Sequence, residues 1–165
     1  MQTSHRNVRR QDKAVDNQEW IKEVLKRGQL LSLAMVEADG SPYVITSSYG
    51  YDDGVIYLHG VAEGKKFETL TNNPKVCFQV VVDAELARND IPCKCTWKYR
   101  SVTGFGHVRV LKTLEEKNHA LKTVMQQYDT AYTPLPQIAD MLWITCIDIE
   151  HMSGKSSVYP VSQSS

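Results

Sequence analysis

The chain has 165 residues, 42% hydrophobic and 23% charged, a balance that suits one globular domain with a single core and excludes a disordered polypeptide or a coiled coil. Its 19 Lys and Arg offset its 19 Asp and Glu, so no net field draws it to nucleic acid or to an anionic membrane. Residues 1–15 carry Arg6, Arg9, Arg10 and Lys13 but no apolar run of signal-peptide length, and no later segment approaches a membrane-spanning length. They read as the flexible leader of a cytoplasmic protein.

Asp16 and Glu19 have the spacing of a capping box. Trp20, Ile21, Val24 and Leu25 then recur at helical intervals up to Gly28, which is suited to end the helix as its C′ residue. Leu30–Val36 is a short apolar run closed by Asp39-Gly40, and residues 43–49 resume as a second strand, which predicts a hairpin. Asp52-Asp53-Gly54 repeats the turn signal before a third strand at 55–58, so the sheet begins as an antiparallel meander. A helix is predicted over 63–71, stopped by Asn72-Asn73-Pro74, and a strand over 76–82 with Val76, Phe78, Val80 and Val82 on one face.

Residues 83–95 are polar, contain Pro92, and read as a long surface connection. A long strand follows over about 97–110, whose Gly104 and Gly106 share a face and permit sharp coiling. A second strong helix spans 113–128, Pro134 and Pro136 punctuate the next connection, and a last strand covers 142–149. Six strands joined by hairpins, with helices interrupting rather than alternating, predict a mainly β antiparallel barrel with flanking helices. Residues 16–155 form the single domain and 156–165 a Ser-rich tail.

Cys77, Cys93, Cys95 and Cys146 read as free thiols, and Cys93-x-Cys95 lacks the second pair or the spaced histidines of a metal centre, so no metal site is expected. The segment with most chemistry is His59-Gly60-Val61-Ala62-Glu63-Gly64-Lys65-Lys66, where a strand ends and two lysines enter the first turn of a helix. Cations there oppose the helix dipole, whereas a bound phosphate would be held by free backbone N–H groups and both ammonium groups; two solvated surface lysines are the alternative. His59 has equivalent choices: a strand-end imidazole bonded to a backbone carbonyl, a cofactor ligand, or a proton-transfer group.

The chain resembles the FMN-binding split-barrel superfamily typified by pyridoxamine 5′-phosphate oxidase, and within it the nitroimidazole-resistance (5-nitroimidazole reductase) proteins. The likeness spans about 16–155. It is carried by Gly40-Ser41-Pro42-Tyr43-Val44, Asp53-Gly54-Val55-Ile56-Tyr57-Leu58-His59-Gly60, Glu63-Gly64-Lys65-Lys66 with Asn73-Pro74-Lys75-Val76, Tyr99-Arg100-Ser101-Val102-x-Gly104-x-Gly106, and Ser153-Gly154-Lys155.

The resemblance implies a six-stranded antiparallel split β-barrel that binds FMN as a homodimer and reduces a small organic acceptor such as a nitroimidazole, with a nicotinamide electron donor. By the same likeness Val44, Ile45, Thr46 and Ser47 run along the flavin ring, Leu58 and His59 meet the ribityl phosphate, and Lys65 and Lys66 hold that phosphate, Lys66 more securely. Ser101 and Val102 reach the flavin, from the partner subunit in one arrangement, and Lys155 belongs to the cofactor set. His59 is the candidate catalytic residue, and haem, with His59 as its axial ligand, is the alternative cofactor for a non-catalytic carrier. No counterpart of the oxidases' C-terminal Trp and Arg-rich substrate segment is present, which disfavours vitamin B6 oxidation.

Overall fold

In a computed structural model of the chain, residues 8–133 and 136–157 are described; Arg6, Pro134 and the serine tail beyond Ser157 lie outside them. Eight antiparallel strands form one sheet: β1 (Ala14–Val15), β2 (Leu30–Val36), β3 (Pro42–Ser48), β4 (Gly50–Asp52), β5 (Val55–Gly60), β6 (Lys75–Ala87), β7 (Thr96–Val110) and β8 (Trp143–Ser157). Helices α1 (Gln18–Arg27), α2 (Gly64–Asn72), α3 (Leu114–Gln127) and α4 (Pro136–Met141) interrupt them. The six expected strands are all present, and the two short ones, β1 and β4, are additional.

The sheet order is β3-β2-β6-β7-β8-β5-β4, with β1 paired to β8. The two ends of that path, β3 and β4, are separated in the chain by Tyr49 alone, so one bent strand supplies both edges of the sheet. The result is a split barrel that is not hydrogen-bonded shut. Tyr49 is fully buried at the split, and its hydroxyl donates to the carbonyl of Leu25 at 2.6 Å, tying the edge to α1. Between β4 and β5, Asp53 (φ 40°) and Gly54 (φ 84°) both adopt left-handed backbone, as a two-residue type I′ turn requires.

Alternation along the strands turns Leu31, Leu33, Met35, Ile56, Leu58, Phe78, Val80 and Val102 inward, where they pack with Ile21, Val24 and Leu25 of α1 into one core. A smaller cluster, Leu111, Ala120, Leu121, Ile144 and Cys146, lies under α3 on the other side of β5 and β8. Gly104 faces the core, where a Cβ would press on the Phe78 ring, Cε1 being 2.6 Å away. Its missing side chain makes room for that fully buried ring.

Three expectations are corrected. The cap of α1 is Asn17, whose side chain accepts from the Trp20 amide at 2.9 Å, and Gly28 is extended (φ −69°) rather than left-handed; glycine is needed there because a Cβ would lie 2.5 Å from the Tyr49 hydroxyl. The strand at 76–82 continues to Ala87 past a bulge between Val82 and Glu85, where Asp83 takes φ 55°, so much of the expected connection is sheet. The last strand runs to Ser157, with Ser156 and Ser157 buried, because β7 and β1 pair along it.

Candidate functional site

Strand β5 ends at His59-Gly60, and α2 starts four residues later from Glu63, which makes no side-chain capping bond, and Gly64, whose φ of 81° turns the chain into the helix. The first-turn amides are thus left without a side-chain acceptor. Both lysines sit in this turn, and they face different surroundings. Lys65 is ion-paired with Glu37 at 2.8 Å and lies over the Tyr43 ring at 4.7 Å, and the Glu37 bond raises its pKa.

Lys66 points the other way. Its ammonium is half-buried, 3.5 Å from the His59 carbonyl and 5.9 Å from the Trp143 ring centroid, and among the described residues no carboxylate pairs with it. Desolvation lowers its pKa. Gly60 makes the approach possible, since a Cβ there would stand 2.8 Å from the ammonium. Beside it, His59 Nδ1 is buried without a hydrogen-bond partner, and burial first, then the Lys66 charge, lowers the imidazole pKa below its usual value, so the ring is neutral at pH 7. An unpaired cation, an orphan imidazole nitrogen and an uncapped helix start fit an anionic group of phosphate type.

The remaining predicted residues divide by the pleat. Val44, 63% exposed, and Thr46 are on the outer face of edge strand β3, whereas Ile45 packs against the core and the Ser47 hydroxyl donates to the Ser48 carbonyl at 3.0 Å. Leu58 and Val102 are core residues, 2% and 0% exposed, so their side chains do not face a ligand. Ser101 and Lys155 are register partners on the outer face of β7 and β8, and both line an open cavity of about 570 Å³.

Between β3 and β7 stand β2 and β6, three strand spacings or roughly 14 Å along the sheet. A single chain therefore does not bring Val44 and Thr46 together with Ser101 and Lys155 around one ring. Sequence reasoning missed Trp143, which enters only through its register with Gly60, and Trp97 and Tyr99, which alternation along β7 groups with Ser101. Cys93 and Cys95 are exposed free thiols, Cys95 being bonded to the Asn89 backbone, and among the described residues no cluster of His, Cys, Asp or Glu could hold a metal. Nor does any described helix have the length and apolarity to cross a membrane.

Comparison with known proteins gives this arrangement its context. A candidate 5-nitroimidazole antibiotic resistance protein from Bacteroides thetaiotaomicron superposes with a TM-score of 0.77 at 24% identity, over 86% of this chain and 85% of that one. A FAD- and haem-binding protein from Mycobacterium smegmatis matches with a TM-score of 0.79 at 18% identity, over 89% and 74% of the respective chains. A flavocytochrome from Azotobacter vinelandii matches with 0.78 at 18%, over 93% and 73%. At these identities the likeness establishes the split-barrel fold. No curated protein sequence matches the chain. The family model described as pyridoxamine 5′-phosphate oxidase, however, matches residues 17–156, from the cap of α1 almost to the end of β8, and the chain belongs to that family.

Proposed function

We propose that the protein binds FMN and acts as an oxidoreductase on a small organic acceptor such as a nitroimidazole. The carrying observation is the half-buried Lys66 ammonium, without a carboxylate partner among the described residues, beside the orphan Nδ1 of His59 at the start of α2. Lys66 and the α2 amides would hold the phosphate, and the neutral His59 ring, as its Nδ1–H tautomer, would donate a further bond to it. Val44 offers an apolar contact and Thr46 a hydroxyl to a flavin ring. When bound, the flavin supplies the redox chemistry. The names of the Mycobacterium and Azotobacter relatives, a FAD- and haem-binding protein and a flavocytochrome, support a flavin, and the name of the Bacteroides relative supports the nitroimidazole class.

The working unit in this reading is a homodimer, because the roughly 14 Å between the β3 and β7 sets leaves each half-site incomplete until a second copy supplies the other half. Haem is the alternative cofactor, since two of these relatives are named for it. Flavin fits better: an iron cation on His59 would stand near the Lys66 ammonium, whereas a phosphate neutralises it. The absorption spectrum of the purified protein tests the cofactor, and oxidation of a nicotinamide donor dependent on a nitroimidazole tests the reaction. A haem Soret band with no releasable flavin would overturn the reading.

A further inference from the structure

Lys65 lies on a different side of β3 from the groups offered to the cofactor. Its ammonium stands over the Tyr43 ring, which packs toward the core, whereas Val44 and Thr46 are on the outer face of the same strand. Lys66, one residue on, turns instead to the His59 carbonyl and the Trp143 ring. Two successive lysines of one helical turn thus serve two neighbours, the β2–β3 hairpin and the end of β5.

The hairpin end of this contact is fixed by its own turn. The Glu37 N–H donates to the Ser41 carbonyl at 2.9 Å, and the Glu37 carbonyl accepts from the Gly40 N–H at 3.0 Å, so the backbone that carries the Glu37 carboxylate is held on both sides. Asp39 adds negative charge near Lys65, but its own Oδ1 accepts from the Ser41 amide at 2.9 Å. At the far end of α2 the Asn73 side chain reaches the carbonyl of Val36, the residue before Glu37, at 3.5 Å. Strand β3 is an edge strand, paired with β2 alone, so side-chain ties between its hairpin and α2 restrain its distance from that helix.

We propose that Lys65 is a positioning residue rather than a ligand of the phosphate: paired with Glu37, it clamps the β2–β3 hairpin to the start of α2 and so holds the strand offered to the flavin ring at a set distance from the groups that take the phosphate. FMN spans both places, so a fixed spacing favours it, whereas riboflavin uses the ring contacts alone. The clamp rests on the flavin reading and brings Glu37 into the site.

The test is calorimetric titration of FMN and of riboflavin into the cofactor-stripped full chain, its Glu37→Gln variant, and the exchanged pair Glu37→Lys with Lys65→Glu. Ligand and clamp predict opposite signs. Freeing Lys65 from Glu37 would tighten FMN if the ammonium then turned to the phosphate; for a clamp it should weaken FMN about threefold and leave riboflavin unchanged. The exchanged pair should bring FMN back to within about twofold of the wild type, although it puts a carboxylate in the first turn of α2, because residue 65 does not meet the phosphate. Tighter or unaltered FMN binding by Glu37→Gln, an equal loss for riboflavin, or no recovery in the exchanged pair would overturn the clamp and leave the flavin reading intact. A wild-type chain that binds neither flavin would sink the flavin reading and the clamp with it.

Discussion

Replacing Lys66 by alanine separates the phosphate from the ring of the proposed cofactor. In the ligand-free protein the ammonium is half-buried, has no carboxylate partner among the described residues, and has a pKa lowered by desolvation. A phosphate placed against it relieves that unfavourable state and adds a charge-assisted bond, worth about 1.5–3 kcal/mol, or roughly tenfold to a hundredfold in Kd. Riboflavin, which has the ring but lacks the phosphate, should bind the variant and the wild type almost alike. Lys65→Ala is the internal control, because Lys65 is exposed and already paired with Glu37 at 2.8 Å, so its loss should weaken FMN by only about threefold. Fluorescence quenching on titration of each flavin into the three cofactor-stripped proteins gives the six constants. Equal losses for FMN and riboflavin, or a larger loss at Lys65 than at Lys66, would refute the assignment.

Gly50→Ala should destabilise the fold by about 3 kcal/mol or more, because the new Cβ meets the backbone of α3 at 2.5 Å from the Val124 nitrogen and backbone cannot step aside; a chemical denaturation midpoint equal to that of the wild type would contradict this contact. Gln127→Leu removes the Nε2 donor, whose two protons are shared among the Leu25, Lys26 and Gly28 carbonyls at 2.8, 3.0 and 2.5 Å, and should lower stability by about 1–3 kcal/mol in the same assay. The folded-state pKa of His59 lies below its usual value of 6.5, so the unfolded chain takes up the proton first. Stability of the ligand-free protein should therefore fall as pH drops below about 6.5, and His59→Asn should flatten that slope in melting curves measured across the range. An unchanged slope would show that the imidazole is not held neutral by the fold.

Much of the architecture was legible from local signals. Strands β2, β3, β5 and β6 are marked by apolar runs or alternation beside Asp-Gly or Asn-Pro punctuation, β7 and β8 by their long runs of strand-forming residues, and α1, α2 and α3 by their 3.6-residue spacing, because these signals depend only on neighbouring residues. Two lysines at a helix start, by contrast, leave a phosphate site and a solvated surface pair both open. The second half of β6, the end of β8 and the short strands β1 and β4 escaped notice. Their residues are polar, serine-rich or few, and they are strands because β7, β8 and β5 offer them hydrogen-bond partners.

The site divides in the same way. Its residue types were readable in the chain, but their directions were not, since a side chain's face depends on which surface of the sheet is covered, and that is decided by strands and helices distant in sequence. Tertiary packing sent Leu58 and Val102 into the core, committed Lys65 to Glu37, and left Lys66 half-buried beside the orphan nitrogen of His59. It also set β3 and β7 three strands apart and bulged β6 at the left-handed Asp83. Composition and periodicity determined that this chain would close a β-rich core. Register, bulge and burial, which arise only when distant strands meet, decided which charges among the described residues stay without a carboxylate partner.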